Sequence, residues 1–266
     1  MRPITATLLD LLVPNACAGC GRPGPAWCSG CERLLGAPFA VWPDGQPPVY
    51  ALGRYAGPVR SALLAYKERG HRELAEPFGA AVAAGLRSIA GRLPGGPEPP
   101  GDRWWLVPVP SRAAQARRRG GDHVARLAEA AAARLAGSGA GLAGCAVAAG
   151  VAPALRLSGG VRDSVGLDAA ARVANLAGRV RPRRSGLLPA GTGVVLIDDV
   201  LTTGATVTES VAALRLAGLR PLAVIVLAVT ERRAHSSTQG VLPAPFAKYL
   251  RRLSPTADVR KERRGS

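Results

Sequence analysis

The fold is decided by Val194-Val-Leu-Ile-Asp-Asp-Val-Leu-Thr-Thr-Gly-Ala-Thr206. Four apolar residues run straight into two carboxylates, then into a small loop rich in hydroxyls. A stretch with helical spacing follows, from Thr206 to Ala217, closed by Gly218. A strand apolar on both faces, Val194 to Asp198, belongs inside a parallel sheet covered by helices on both sides. Ligands of such sheets bind beyond the carboxyl ends of the strands, where Asp198 and Asp199 fall. Thr202, Thr203, Gly204, Ala205 and Thr206 offer amides and hydroxyls at a helix N-terminus, which suits a phosphate. Gly204 lets the backbone approach the anion closely. Two carboxylates would repel that phosphate unless they accept hydrogen bonds from sugar hydroxyls or help position Mg2+. Phosphate, ribose hydroxyls and a metal together describe a phosphorylated ribose. A helix cap with acidic residues near its positive end would explain Thr202 or Thr206, but not the whole run.

Working outward, the same alternation of elements recurs. Leu222 to Val229 reads as a second buried strand, Trp104 to Val109 as a strand stopped by prolines, and Cys145 to Ala149 as a strand. Tyr50 to Tyr55 suits an edge strand. Helical spacing covers Pro58 to Lys67, Leu74 to Ile89, His123 to Leu135 and Leu167 to Asn175. Leu93 to Gly101 is a loop rich in proline and glycine. Apolar strands alternating with amphipathic helices predict an α/β domain with a parallel, Rossmann-like sheet over 49–230. Lys67 and His71 follow a helix C-terminus and read as partners of its dipole. No Gly-x-x-x-x-Gly-Lys-Ser/Thr occurs, which excludes a P-loop ATPase.

Ahead of that domain stand two close pairs, Cys17-Ala-Gly-Cys20 and Cys28-Ser-Gly-Cys31, behind a short apolar stretch at Leu8–Val13. Four thiolates match the tetrahedral preference of zinc and leave no open position, so the ion would be structural. Gly19, Gly21 and Gly30 supply the tight turns. A disulfide is the competing structural reading, disfavoured without a secretory signal; a redox pair would need only one Cys-x-x-Cys. Cys145 stands apart and reads as a small buried hydrophobe. Pro38, Pro43, Pro47 and Pro48 read as a linker that ends a 1–48 zinc module. The stretch 231–266 reads as a basic, mobile tail.

The chain has 266 residues, of which 47% are hydrophobic, which is enough for a sizeable core and excludes wholesale disorder. No apolar run approaches a membrane span and no signal peptide is evident, so a cytoplasmic protein is expected. Thirty-five basic residues against 18 acidic ones give a formal charge of +17, an invitation to nucleic acid, phosphorylated metabolites or anionic membrane surfaces. Only Lys67, Lys248 and Lys261 are lysines; with 33 Gly and 23 Pro, the arginine excess also fits a GC-rich codon bias.

The 194–206 run resembles the phosphoribosyl-pyrophosphate (PRPP) signature of type I phosphoribosyltransferases. With the four cysteines and Trp104-Trp-Leu-Val-Pro-Val-Pro-Ser111, the chain from about Leu8 to Thr230 is similar to the ComF family, competence-associated phosphoribosyltransferase-like proteins. That resemblance implies a zinc knuckle before a phosphoribosyltransferase-type domain, with a link to DNA uptake. It places Asp198 and Asp199 at the ribose hydroxyls as the catalytic carboxylates. Thr202, Thr203, Gly204, Ala205 and Thr206 would wrap the 5-phosphate, and Ser111 and Arg112, after Pro110, would lie at the pyrophosphate. The family's Arg-Gly-Phe-Asn-Gln run departs here, where Arg119-Gly120 continues as Gly-Asp-His123. Arg172-Val-Ala-Asn175 is retained.

Two functions follow. One is Mg2+-dependent PRPP binding, with transfer of the phosphoribosyl group and release of pyrophosphate. The other is a non-catalytic DNA-uptake or recombination accessory that binds nucleic acid, single-stranded DNA included, with a sensing or vestigial PRPP pocket. Arg112 and Arg117–Arg119 serve either, by holding a pyrophosphate or by steering an anionic partner, with a solvated basic run as the bland alternative.

Overall fold

β7 (Gly193–Leu201) and β8 (Arg220–Val229) form the middle of a six-stranded sheet in the computed structural model. The structure describes residues 16–42, 47–93, 103–111, 121–137, 148–158, 178–186 and 188–230. The other main-sheet strands are β1 (Phe39–Trp42), β2 (Val49–Arg54), β3 (Arg103–Pro108) and β4 (Ala148–Val151). Their order is β1-β2-β8-β7-β3-β4, and every neighbouring pair is parallel except β1 with β2. The expected α/β architecture with a mostly parallel sheet is therefore what the chain adopts. A separate antiparallel pair, β5 (Leu155–Leu157) and β6 (Val180–Pro182), was not foreseen.

The helices are α1 (Ser29–Glu32), α2 (Gly57–Glu68), α3 (Ala75–Ile89), α4 (His123–Gly137) and α5 (Ala205–Leu216). Alternation along β7 divides the core between the two faces. Val195 and Ile197 join Phe78, Leu86 and Leu127 of α3 and α4 on one face. Val194 and Leu196 join Val207, Val211 and Leu214 of α5 on the other. Helices on both faces explain why β8 is buried from Ala223 to Val229 with no polar alternation. Helices α3 and α4 approach so closely that a Cβ on Gly79 would lie 2.5 Å from the Ala130 Cβ.

Two expectations change. Tyr50–Tyr55 is not an edge: β2 lies inside the sheet, and Phe39–Trp42, expected within a linker, is the edge strand beside it. Pro38 precedes that strand without interrupting it, and an edge tolerates its missing donor. Its Val41 is buried in the α5-side core.

The cysteine segment packs on the opposite side of the sheet, where Trp27, Cys31 and Leu35 share a core with α2, α3 and α4. Trp27 meets Phe78 edge-on at 5.4 Å, Phe78 meets Tyr66 at 5.6 Å, and Tyr66 meets His123 at 5.9 Å. A row of aromatic rings thus runs from the cysteines to the N-terminus of α4. The expected helix over 8–13, Arg112, Arg117–Arg119, Cys145, Arg172–Asn175 and the 231–266 tail lie outside the described residues.

Candidate functional site

Strand order reverses between β3 and β7. From β3 the chain passes through α4 to β4 on one side; from β7 it passes through α5 to β8 on the other. The crevice at the carboxyl ends of two such strands is where open α/β sheets bind ligands. Pairing with β3 ends at Pro108↔Ile197, with one further bond from Val109 N–H to the Ile197 carbonyl at 2.9 Å. β7 continues beyond it for Asp198–Leu201, held by β8 through Leu201↔Val229. The two carboxylates therefore sit on a paired strand, one and two residues beyond its last support on the β3 side.

They differ sharply in surroundings. Asp199 is buried, and its Oδ2 accepts from Lys67 Nζ at 2.9 Å and from His123 Nε2 at 2.9 Å. An ionised carboxylate only accepts, so Nε2 carries the imidazole proton. His123 Nδ1, also buried, has no hydrogen-bond partner among the described residues. Tyr66 Oη donates to the His123 carbonyl at 2.6 Å and locks the start of α4. Asp199 Oδ1 accepts from Val200 N–H at 2.7 Å. Burial alone would raise the Asp199 carboxyl, but the Lys67 ammonium and the His123 hydrogen bond outweigh it and hold the group well below the usual carboxylate range. Asp198 is half-buried, and its Oδ1 accepts the Asp199 N–H at 2.8 Å. Burial and the charge of Asp199 push the Asp198 carboxyl well above the ordinary value.

Lys67 is the site residue that the sequence reading placed elsewhere, as a partner of a helix dipole, while His123 was open between a role where the family's Arg-Gly-Phe-Asn-Gln run departs and a surface position at a helix N-terminus. Lys67 is in the last turn of α2, a helix that begins next to the end of β2 and reaches across to β7. His123 opens α4 and is buried, as a surface residue there would not be. A signal for Lys67 was present: it is one of three lysines in a chain whose other basic residues are all arginine.

The loop after β7 turns at Gly204, whose φ of 74° no β-branched residue adopts without strain. Ala205 and Val207 are buried and fix the direction of α5. Thr202 is exposed, while Thr203 and Thr206 are half-buried. Thr203 Oγ1 accepts a long bond from Ala205 N–H at 3.4 Å. Thr208 and Ser210 turn their hydroxyls back onto helix carbonyls, at 3.0 Å and 2.7 Å. Beyond β3, Ser111 Oγ donates to Asp122 Oδ2 at 2.7 Å, and Asp122 Oδ1 caps α4 through Val124 N–H at 2.9 Å. Ser111 is thereby tied to the helix that carries His123.

Away from the crevice, the Sγ atoms of Cys17, Cys20, Cys28 and Cys31 all lie within 4.8 Å of one another, none in a disulfide. The Cys17–Cys31 and Cys20–Cys28 separations are both 3.7 Å. Zn–S bonds of about 2.3 Å require tetrahedron edges of about 3.8 Å, so the donor set fits. Cys28 N–H donates to Cys17 Sγ at 3.5 Å, and Arg22 Nε to Cys20 Sγ at 3.5 Å. The Arg22 hydrogen bond lowers the Cys20 thiol to about 6. Among the described residues this is the cluster that could hold a metal ion, and no helix is long and apolar enough to cross a membrane.

No protein-family model and no curated protein matches the chain. A solved structure of an adenine phosphoribosyltransferase is similar to it at 12% identity, over 66% of this chain and 79% of that one, with a TM-score of 0.32. A likeness that low carries no argument about ligand or chemistry, which rest on the chain's own residues.

Proposed function

We propose that the crevice binds PRPP and that the chain is a phosphoribosyltransferase-like protein of the ComF type. One observation carries this reading: an acidic pair in the last residues of β7 leads directly into a hydroxyl loop at a helix N-terminus, where the strand order reverses. The 5-phosphate would rest on Thr202–Thr206, the ribose hydroxyls at Asp198 and Asp199, and the pyrophosphate near Ser111 and Arg112. Transfer would break the bond from the anomeric carbon to the pyrophosphate oxygen and form one to an acceptor nitrogen. The carboxylates would stabilise the oxocarbenium-like transition state electrostatically. Mg2+, bound with the pyrophosphate, would supply charge to the leaving group. Zinc at Cys17, Cys20, Cys28 and Cys31 would cross-link the cysteine segment that packs, through Trp27 and Leu35, on the core of α2, α3 and α4.

Calorimetric titration with PRPP and Mg2+ tests the reading: saturable binding weakened about tenfold by Asp198→Asn is expected, from the loss of a charge-assisted hydrogen bond. No heat with the wild type would overturn it. Pyrophosphate release against a panel of bases then reads out transfer. The charge of +17 favours a second reading, a nucleic-acid-binding accessory to DNA uptake. In that case removal of 231–266 should flatten the salt dependence of DNA binding, because fewer counterions are released.

A further inference from the structure

Adjacent carboxylates are an unwelcoming place for a ligand that carries a diphosphate, and the geometry around Asp199 answers the difficulty. Its Oδ2 takes two donors and its Oδ1 takes a third, all from the protein. Asp198 engages one oxygen with a backbone N–H. The ion pair is also oriented: the Asp199 side chain is 5% exposed and that of Lys67 is 35% exposed. Its negative end is buried and its positive end faces outward, so an approaching anion meets the ammonium before the carboxylate.

We infer that Lys67 is a ligand-site residue of this crevice, cancelling the charge of Asp199 so that a diphosphate-bearing sugar phosphate can approach, and that Asp199 is a positioning residue while Asp198 faces the sugar hydroxyls. This rests on the PRPP reading and assigns separate duties to the two halves of its acidic pair. The groups around Asp199 are consistent with it. Lys67 and Tyr66 come from α2, and His123 from the start of α4. Asp122 and Arg126, from the same end of α4, act on the adjacent Tyr66 phenol, and Asp198 is the neighbour on β7. Of these, Lys67 pairs directly with Asp199 as a cation; Arg126 acts on Tyr66. The depressed Asp199 carboxyl and the elevated Asp198 carboxyl agree with the division.

The experiment titrates wild type, Lys67→Met, Asp199→Asn and the Lys67→Met/Asp199→Asn double variant with PRPP and with ribose 5-phosphate, between about pH 5 and 8. Lys67→Met leaves Asp199 without its ammonium, so PRPP affinity should fall about tenfold or more at the alkaline end and recover as Asp199 takes up a proton. Ribose 5-phosphate, which lacks the diphosphate, should lose less. The double variant removes both charges and keeps both shapes; it should regain most of the loss, and it decides the matter if Lys67→Met alone fails to fold. PRPP binding by Lys67→Met equal to wild type at every pH would overturn the inference and leave the PRPP reading standing. So would a folded double variant that binds PRPP no better than Lys67→Met or, where that variant does not fold, far more weakly than wild type. Absence of PRPP binding by the wild type would instead overturn the reading itself, and this inference with it.

Discussion

Between Cys17 and Cys31 four thiols converge within fifteen residues of chain, whereas Lys67 and Asp199 meet across 132 residues of sequence. The first cluster is built by tight turns and one short helix, and any ion it holds acts as its local cross-link. The second exists only when α2 and α4 are both docked on one face of the sheet that contains β7. Proximity in sequence makes a site readable and leaves it dependent on a single ligand. Proximity created by the fold hides the site and shares its fate with the core.

The sharpest way to break this contrast is to remove one thiol. Structural zinc contributes on the order of 10 kcal/mol, so Cys28→Ser should abolish zinc binding and unfold the segment around it. Metal analysis and near-ultraviolet circular dichroism read the result; a folded variant without zinc would show that packing of Trp27 and Leu35 suffices.

At the crevice the two carboxylates should respond with opposite signs. The folded pKa of Asp199 is depressed, so its stabilisation is present above the unfolded value of about 4 and is lost as pH falls through the lower folded pKa. Asp199→Asn at neutral pH should therefore cost about 3 kcal/mol, the low end for a broken buried pair because Lys67 is partly exposed. The folded pKa of Asp198 is raised, so its favourable contribution belongs below about pH 4 and is lost as pH rises through the folded value. Asp198→Asn should raise the melting temperature by a few degrees at neutral pH, about 1 kcal/mol, with the gain gone in acid. Thermal melts from acid to neutral pH check both. Equal shifts of one sign would mean that the pair acts as a single unit.

The smallest expected effect sharpens the comparison from the ligand's side. Thr203→Val should change stability by less than about 0.5 kcal/mol, yet weaken PRPP binding several-fold. Unchanged affinity in calorimetry would place the phosphate elsewhere than the Thr202–Thr206 loop.

What could be read in advance follows the same division. β7, α5 and β8 are contiguous in sequence and announce themselves by uninterrupted apolar runs and a closing Gly218. β1 did not, because four residues between two prolines carry too little pattern; its place is set by pairing with β2. The β5–β6 pair joins segments more than twenty residues apart, each only three residues long. Asp198, Asp199 and the phosphate-type loop were legible as a motif. The partners of Asp199 were not, since nothing in the helical spacing of residues 58–67 says which strand end Lys67 will reach.

The strand order has a consequence for how the chain is made. β2 and β3 are not neighbours in the sheet; β8 and β7, the last of the described strands in the chain, lie between them. Among the described strands, β1–β2 is joined to β3–β4 only through β8 and β7, so the six-stranded sheet cannot be complete before residue 229 is made. The two flanks are thus held together by pairings distant in sequence, β2 with β8 and β3 with β7, the kind of contact that slows folding.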